Sequence, residues 1–178
     1  MKATGIVRRV DDLGRIVIPK EIRRVMNISN GDAMEIYTEN DGKLILGKFS
    51  PVKELKAYAI EIAKALNYTL NADSLICDKD SIVCAYGENT AGLIGKPVSE
   101  ELSSEICDRC RCLFTGDECI PLIQGDTEIP FSEIIIPVIS DGQTSGAVVI
   151  MVPPGSKKEL GEKEFACAEI AAGILGSR

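Results

Sequence analysis

Apolar residues change their spacing near residue 50, and the elements they predict change with it. Up to that point they come in short blocks. "TGIVRRV" (4–10) and "RIVI" (15–18) flank the turn Asp12-Leu13-Gly14, and "AMEIYTE" and "KLILGKF" flank "NDGK". Such blocks, bounded by Asp, Asn and Gly, predict strands in two hairpins. Between them Pro19 opens a short helix, "KEIRRVM", and "NISNGD" is a loop. Beyond residue 50 the period lengthens. Ser50 reads as an N-cap, Pro51 as the first helical residue, and Val52, Leu55, Ala59, Ile62 and Leu66 step by three and four, a helix over 51–67. "SLICD" and "IVCAYG" read as paired strands. Residues 89–112 read as helical, interrupted at Gly95-Lys96-Pro97, with Ser99 capping the second part. "ECIPLIQ", "SEIIIPVIS" and "SGAVVIMV" read as three further strands. "GEKEFACAEIAAGIL" closes the chain as a helix with Phe165, Ala168, Ala172 and Leu175 on one stripe. The expected class is α+β. A β-rich module spans residues 1–50, and an antiparallel sheet sandwiched by helices spans 51–178.

The first module is too small to bury its apolar residues alone, and Ile16-Val17-Ile18 cannot hide both faces under one layer of hairpins. A dimer with interleaved hairpins is the simplest remedy. The stripes on the first and last helices of the second module are more apolar than one domain needs, and two of each can close a four-helix bundle. If the two modules pair with different partners the assembly is a homotetramer, the arrangement expected here. If they share a partner it is a dimer.

Composition narrows the function. The 178 residues carry 20 Lys and Arg, 27 Asp and Glu, and no histidine. Without histidine the commonest general base and zinc nitrogen ligand are missing, and no catalytic constellation can be assembled, so no enzyme and no catalytic residue is expected. No apolar run is long enough for a signal peptide or a membrane span, which predicts a cytoplasmic protein without a membrane partner. Seven cysteines, an odd number in such a compartment, then read as free thiols. Charge is unevenly divided. Residues 1–50 have nine basic and seven acidic side chains, whereas 51–178 have eleven and twenty. A basic module joined to an acidic one suggests that the first meets an anion.

The basic residues concentrate in "VRRVDDLGRIVIPKEIRR". At 100° per residue, Lys20, Arg23 and Arg24 share one helix face while Ile22, Val25 and Met26 share the other. Arg15 follows the Gly14 turn. Arg8 and Arg9 lie across that hairpin and point to opposite sides, so at least one can join the surface. Guanidinium groups suit phosphate because their planar donors meet two oxygens at once. Solvated charges paired with Asp11, Asp12 and Glu21 are the plainer alternative. Double-stranded DNA is the expected partner.

"MKATGIVRRVDDLGRIVIPKEIRR", followed by "GDAMEIYTENDGKLIL", resembles the N-terminal module of AbrB-type transition-state regulators. The resemblance implies a swapped-hairpin dimer, and it places DNA contacts on Arg8, Arg9, Arg15, Arg23 and Arg24. Lys20 joins them from helix geometry. It also implies targets that share DNA shape more than a sharp consensus. Element order, "SLICDKDSIV", "LIGKPVSEEL" and "GAVVIMV" make the second module resemble a GAF domain, which implies a pocket between sheet and helices. The implied function is a transcriptional regulator of sporulation genes with a sensing or oligomerising second domain.

Cys107, Cys110, Cys112 and Cys119 form C-x2-C-x-C-x6-C, with Cys77 and Cys84 on the preceding hairpin. The spacing matches no known zinc or iron–sulfur site, and Cys112 is rotated away from Cys107 and Cys110 on a helix. Small buried apolar residues are the preferred reading, with no metal and no cofactor expected. A small-molecule ligand is possible, but no sequence feature names one. The alternatives are a MazE-type antitoxin, since that fold is shared, and a metal- or redox-sensing binding protein.

Overall fold

A computed structural model describes residues 5–126, 128–156 and 158–177. The chain divides into two compact units, Met1–Phe49 and Ser50–Arg178.

In the first unit, α1 (Lys20–Val25) is followed by β1 (Met34–Thr38) and β2 (Leu44–Lys48), an antiparallel hairpin in which Ile36 faces Leu46. The expected strands at 4–10 and 15–18 do not form over the described residues 5–10 and 15–18; residue 4 lies outside the description. Only the turn between them closes, with the Asp11 amide on the Arg15 carbonyl at 3.0 Å. A strand needs an edge to pair with, and among the described residues these segments join no ladder. Their apolar side chains stay outside: Val7, Val10, Leu13, Ile16 and Val17 are all exposed. The rear face of α1 is open too, with Val25 80% and Met26 45% exposed, so the burial expected for that face is not achieved within one chain.

The second unit is built on a five-stranded antiparallel sheet. Its strands are β3 (Asp73–Asp78), β4 (Ile82–Tyr86), β5 (Cys112–Thr115), β6 (Ser132–Ser140) and β7 (Gln143–Val152), in spatial order β4-β3-β7-β6-β5. The three middle strands are apolar on both faces, because both are covered. On one face Ile76, Ile134, Ile136, Val148 and Ile150 pack under α3 (Lys56–Leu70) and α5 (Glu162–Gly176). On the other, Leu75, Cys77, Ile135, Ala147 and Val149 pack under α4 (Glu100–Cys107) and the loops beside it. Ile134 and Ile150 are cross-strand partners with no exposed surface, each burial contributing about 2 kcal/mol. β7 passes so close to β3 that a Cβ on Gly146 would lie 2.0 Å from the Cys77 carbonyl oxygen, so only glycine fits.

The predicted helix over 51–67 is two pieces. Ser50 caps α2 (Pro51–Glu54) as expected, its Oγ accepting from the Lys53 amide. Leu55 then breaks the run and turns its side chain onto the core, and α3 continues to Leu70, where Asn71 takes a left-handed conformation. The seam Val52-Ala59-Leu66 is buried against the unit's own sheet, and Leu55 and Ile62 pack beside it. It is therefore not free to make a bundle. Of the helix expected over 89–112, only α4 forms, capped by Ser99. Gly92 and Gly95 at positive φ, and Pro97, break what precedes it. "ECIPLIQ" is a loop rather than a strand. Pro121 has no amide to donate, and the Ile120 amide donates to the Glu133 carboxylate at 2.7 Å instead of to a ladder.

Asp78, almost fully buried, ties α2 to the β3–β4 turn. Its Oδ1 accepts from the amides of Asp80 and Ser81 at 2.9 and 2.7 Å, and its Oδ2 accepts from Lys53 Nζ at 2.6 Å. Burial pushes its carboxyl up, but Lys53 and the two amides outweigh that and hold it below its usual range. Asp78→Ala leaves both amides unpaired and should destabilise this unit by about 2 kcal/mol in urea unfolding. Lys53→Met, at a half-exposed position, should cost less than about 1 kcal/mol. Equal losses in the two variants would mean that the ion pair, not the amide bonds, carries the effect.

Candidate functional site

The basic side chains of the first unit are set by two short backbone devices. Gly14, at φ +76°, completes a turn in which Asp11 acts as organiser. Its Oδ1 accepts from the amides of Leu13 and Arg15 at 3.0 and 2.8 Å, and its Oδ2 accepts from Arg15 Nε at 2.8 Å. The Arg15 amide, then its guanidinium, hold Asp11 below the usual carboxylate range. Arg15 is thus oriented at the turn with most of its side chain in solvent.

The second device ends α1. Asn27 takes a left-handed conformation, and the Ile28 amide donates to the Arg23 carbonyl at 2.8 Å, the pairing that stops a helix and reverses the chain. The reversal brings Asn30 back to Arg23, whose Nη1 donates to Asn30 Oδ1 at 3.1 Å while its Nε is buried without a partner. Arg23 is therefore half-buried, and Lys20 and Arg24, one turn apart, form the exposed part of the face. Arg8 and Arg9 are exposed on the extended segment, and Arg8 donates to the Val7 carbonyl. Among the described residues no ion pair is seen for Arg8, Arg9, Lys20 or Arg24. The turn brings Arg15 to Asp11 and the helix brings Lys20 beside Arg24, but no hydrogen bond joins Arg8 or Arg9 to either group. Asn30 was missed by sequence reading, because a loop asparagine carries no periodic signal.

The second unit has a cleft of about 630 Å³ on the α4 side of the sheet, lined by Leu93, Leu122, Ile123, Ile129, Met151 and the polar Asn89, Asp126 and Glu128. Among the described residues no cationic side chain lines it.

The cysteines divide. Cys77, Cys84 and Cys119 are buried, as expected, and burial pushes their thiols up to about 12, 11 and 11. Cys107 is exposed, and Cys110, Cys112 and Cys167 are half-buried, which corrects the uniform reading of small core residues. The four-cysteine spacing does not gather into one group. Cys110 and Cys112 instead meet Glu105, a residue that sequence reading passed over.

Residues 54–178 match the family described as stage V sporulation protein T C-terminal, transcription factor. Over 175 residues the chain is 42% identical to stage V sporulation protein T of Bacillus subtilis (strain 168), covering 98% of this chain and 97% of that one. The chain belongs to the stage V sporulation protein T family of transcription factors. Residues 7–56 match a second family, described as antidote-toxin recognition MazE, bacterial antitoxin. Transition state regulatory protein AbrB of the same Bacillus strain is 59% identical over 51 residues, which is 29% of this chain and 52% of AbrB. A solved GAF domain from an Acinetobacter phosphoenolpyruvate-protein phosphotransferase is similar with a TM-score of 0.58 at 12% identity, over 69% of this chain and 80% of that one. The expected α+β class and the GAF-like second domain are both borne out.

Within the GAF-like unit of this family member, Glu133 is a buried acid on the cleft side of β6. It has no exposed surface, and its Oε2 has no hydrogen-bond partner. Burial, with a smaller push from Glu105, raises its carboxyl to about 7 despite the Ile120 amide. A raised acid stabilises the fold fully below its unfolded value of 4.5, and that contribution is lost as pH rises through the folded value near 7. Glu133→Gln keeps the oxygen facing Ile120 and removes the titration. The variant should gain on the wild type by about 3 kcal/mol as pH rises from 4.5 to 7, read by urea unfolding at each pH. Parallel pH profiles would show that Glu133 does not titrate in this window.

Proposed function

We propose that this family member regulates transcription by binding double-stranded DNA through residues 1–50, with residues 51–178 serving oligomerisation and sensing. The observation that carries the reading is the set of exposed cations in this unit, with Arg15 oriented by Asp11 at the turn and Lys20 and Arg24 on the open face of α1. Arg8, Arg9, Arg15, Lys20, Arg23 and Arg24 are the proposed contacts, with Arg23 braced by Asn30. The AbrB resemblance over this segment supports them. Contacts of this kind go mostly to phosphates and fix register, while sequence preference comes from DNA shape. The chain acts by binding rather than catalysis, in the cytoplasm, on the sporulation genes that its family's name suggests. Among the described residues no helix is long and apolar enough to cross a membrane. The MazE match over residues 7–56 supports an antitoxin as second reading. The regulator is preferred because the likeness to a transcription factor runs the length of the chain.

Two dimer contacts are proposed. Pairing of residues 1–50 with a second copy covers the exposed Val7, Val10, Ile16, Val17, Val25 and Met26, in the interleaved form that the resemblance implies. The second contact lies on α5. Phe165, Ala168, Ala172 and Leu175 pack on the unit's own core, but Ala166, Ile170, Gly173 and Ile174 form an exposed apolar stripe one to two residues round the helix. Different partners for the two contacts close a homotetramer.

Four phosphate contacts per subunit give a dimer a log–log salt slope near −7. Arg23→Ala/Arg24→Ala should flatten it by about 3–4 and weaken binding to all sequences, with the circular dichroism spectrum unchanged. A folded double variant with the parental slope would remove both residues from the site. Ile170→Glu should reduce the assembly from four chains to two in light scattering. A tetramer that survives both Ile170→Glu and Ile174→Glu would place the second contact elsewhere.

A further inference from the structure

The end of α4 builds a three-ligand group outside both the basic surface and the cleft. Asp108 caps the helix and Arg109 follows in the left-handed region at φ +58°. The Arg109 amide donates to the Ile106 carbonyl at 3.3 Å, and the Cys110 amide to the Glu105 carbonyl at 3.0 Å. This pair of bonds folds the chain back over the last helical turn. It brings Cys110 over Glu105, and two residues later Cys112 begins β5, held opposite Ile135 by the sheet. The result is a cluster in which Cys110 Sγ, Cys112 Sγ and a Glu105 carboxylate oxygen all lie within 4.8 Å of one another. Cys112 Sγ is 3.4 Å from Glu105 Oε2.

We propose that Glu105, Cys110 and Cys112 bind one thiophilic divalent cation of the zinc class. Two sulfurs and one carboxylate oxygen are a zinc donor set, and tetrahedral bonds of about 2.0–2.3 Å give ligand-to-ligand edges of about 3.3–3.8 Å. The Cys112–Glu105 separation is already such an edge, and closing the others needs shifts of side-chain size. Thiol hydrogen bonds from both cysteines to the Glu105 carboxylate hold the group together in the free chain, and they leave two sulfurs and one oxygen converged on one point at a half-exposed position. All three residues are only half-buried, so the fourth position opens to water. The ligand positions are fixed by a helix end and a sheet edge rather than by a free loop, as a preorganised site requires. Binding would fasten the end of α4 to β5.

The test uses the full-length protein, purified anaerobically with a phosphine reductant, stripped with chelator and titrated with cobalt(II) as a spectroscopic stand-in for zinc. Thiolate-to-cobalt charge-transfer bands should saturate at one ion per chain and disappear when zinc is added. They should be lost in Cys110→Ser and Cys112→Ser and kept in Cys107→Ser and Cys167→Ser. Glu105→Gln should weaken binding about tenfold or more, since losing a ligand costs at least what losing a supporting partner does. A second measurement needs no variant: zinc should shield Cys110 and Cys112 of the wild type from alkylation while Cys107 still reacts, read by peptide mass spectrometry. The proposal fails if no charge-transfer band forms, if the band depends on Cys107 or Cys119, if zinc shields neither cysteine, or if Cys110 and Cys112 are recovered as a disulfide under the reductant.

Discussion

Burying both faces of the β3–β7–β6 sheet is the constraint on which the second unit depends. Isoleucine and valine alternate sides along the middle of these strands, Ile134 and Ile136 to one side and Ile135 to the other. Neither side can be left to water, so both need cover, and the two covers differ in kind. α3 and α5 are long enough to shield one face with apolar stripes. The other is covered by one eight-residue helix and by loops. Loops bring backbone amides and carbonyls that need partners, and the polar side chains on that side supply them. Ser99 caps α4 and donates to the Pro121 carbonyl, and Glu133 receives the Ile120 amide.

The irregular cover is also where chemistry collects. The cleft lies beneath the loops that hold Leu93, Leu122 and Ile129. The cysteine pair lies where α4 gives way to β5. A continuous helix across this face would leave neither. α4 also has a bond at each end to these features: the Ser99 amide donates to the carbonyl of Leu122, which lines the cleft, and Glu105 meets Cys112. The first unit meets the same constraint and does not satisfy it alone. Among the described residues its segments at 5–10 and 15–18 join no ladder, and Val7, Val10, Ile16 and Val17 stay exposed. At about fifty residues without a cysteine, the unit is too short to bury those side chains by itself.

What could be read from sequence follows this division. β6, β7 and α5 were legible from their long apolar periods, with Asp141-Gly142 turning between the two strands. α3 was legible only as one helix with α2, because Ser50 and Pro51 mark the start of α2 and no cap marks the break at Leu55. α1 was legible from Pro19, and β1 and β2 from "NDGK". The errors fall where structure is set by contacts distant in sequence. "ECIPLIQ" has the composition of a strand, but a carboxylate thirteen residues on takes the amide of Ile120. β5 was not legible at all, since the expected helical region runs to residue 112 and 113–117 carry no assignment; it forms because Arg109 reverses the chain beside the free edge of β6. Segments 5–10 and 15–18 have strand character, yet their described residues join no ladder. Among candidate site residues, the arginines were legible by charge alone. Asn30 and Glu105 were not, since each acts through a chain reversal placed by a non-glycine residue in the left-handed region, Asn27 and Arg109.

Those two reversals share a physical logic. A helix normally ends at left-handed glycine, because a side chain there costs about 1 kcal/mol. Asparagine tolerates the conformation through local hydrogen bonding, so Asn27 needs no further account. Arginine does not, and Arg109 must be held by something else. Its guanidinium donates to the Gly142 carbonyl at 2.6 Å, in the turn between β6 and β7, while the neighbouring Arg111 pairs with Glu169 of α5. The turn that gathers Cys110 and Cys112 over Glu105 is therefore anchored from outside, on the sheet and on the opposite helix layer. A glycine at 109 would relieve the backbone and lose the anchor. The arginine keeps the cysteine pair in place at a small conformational cost.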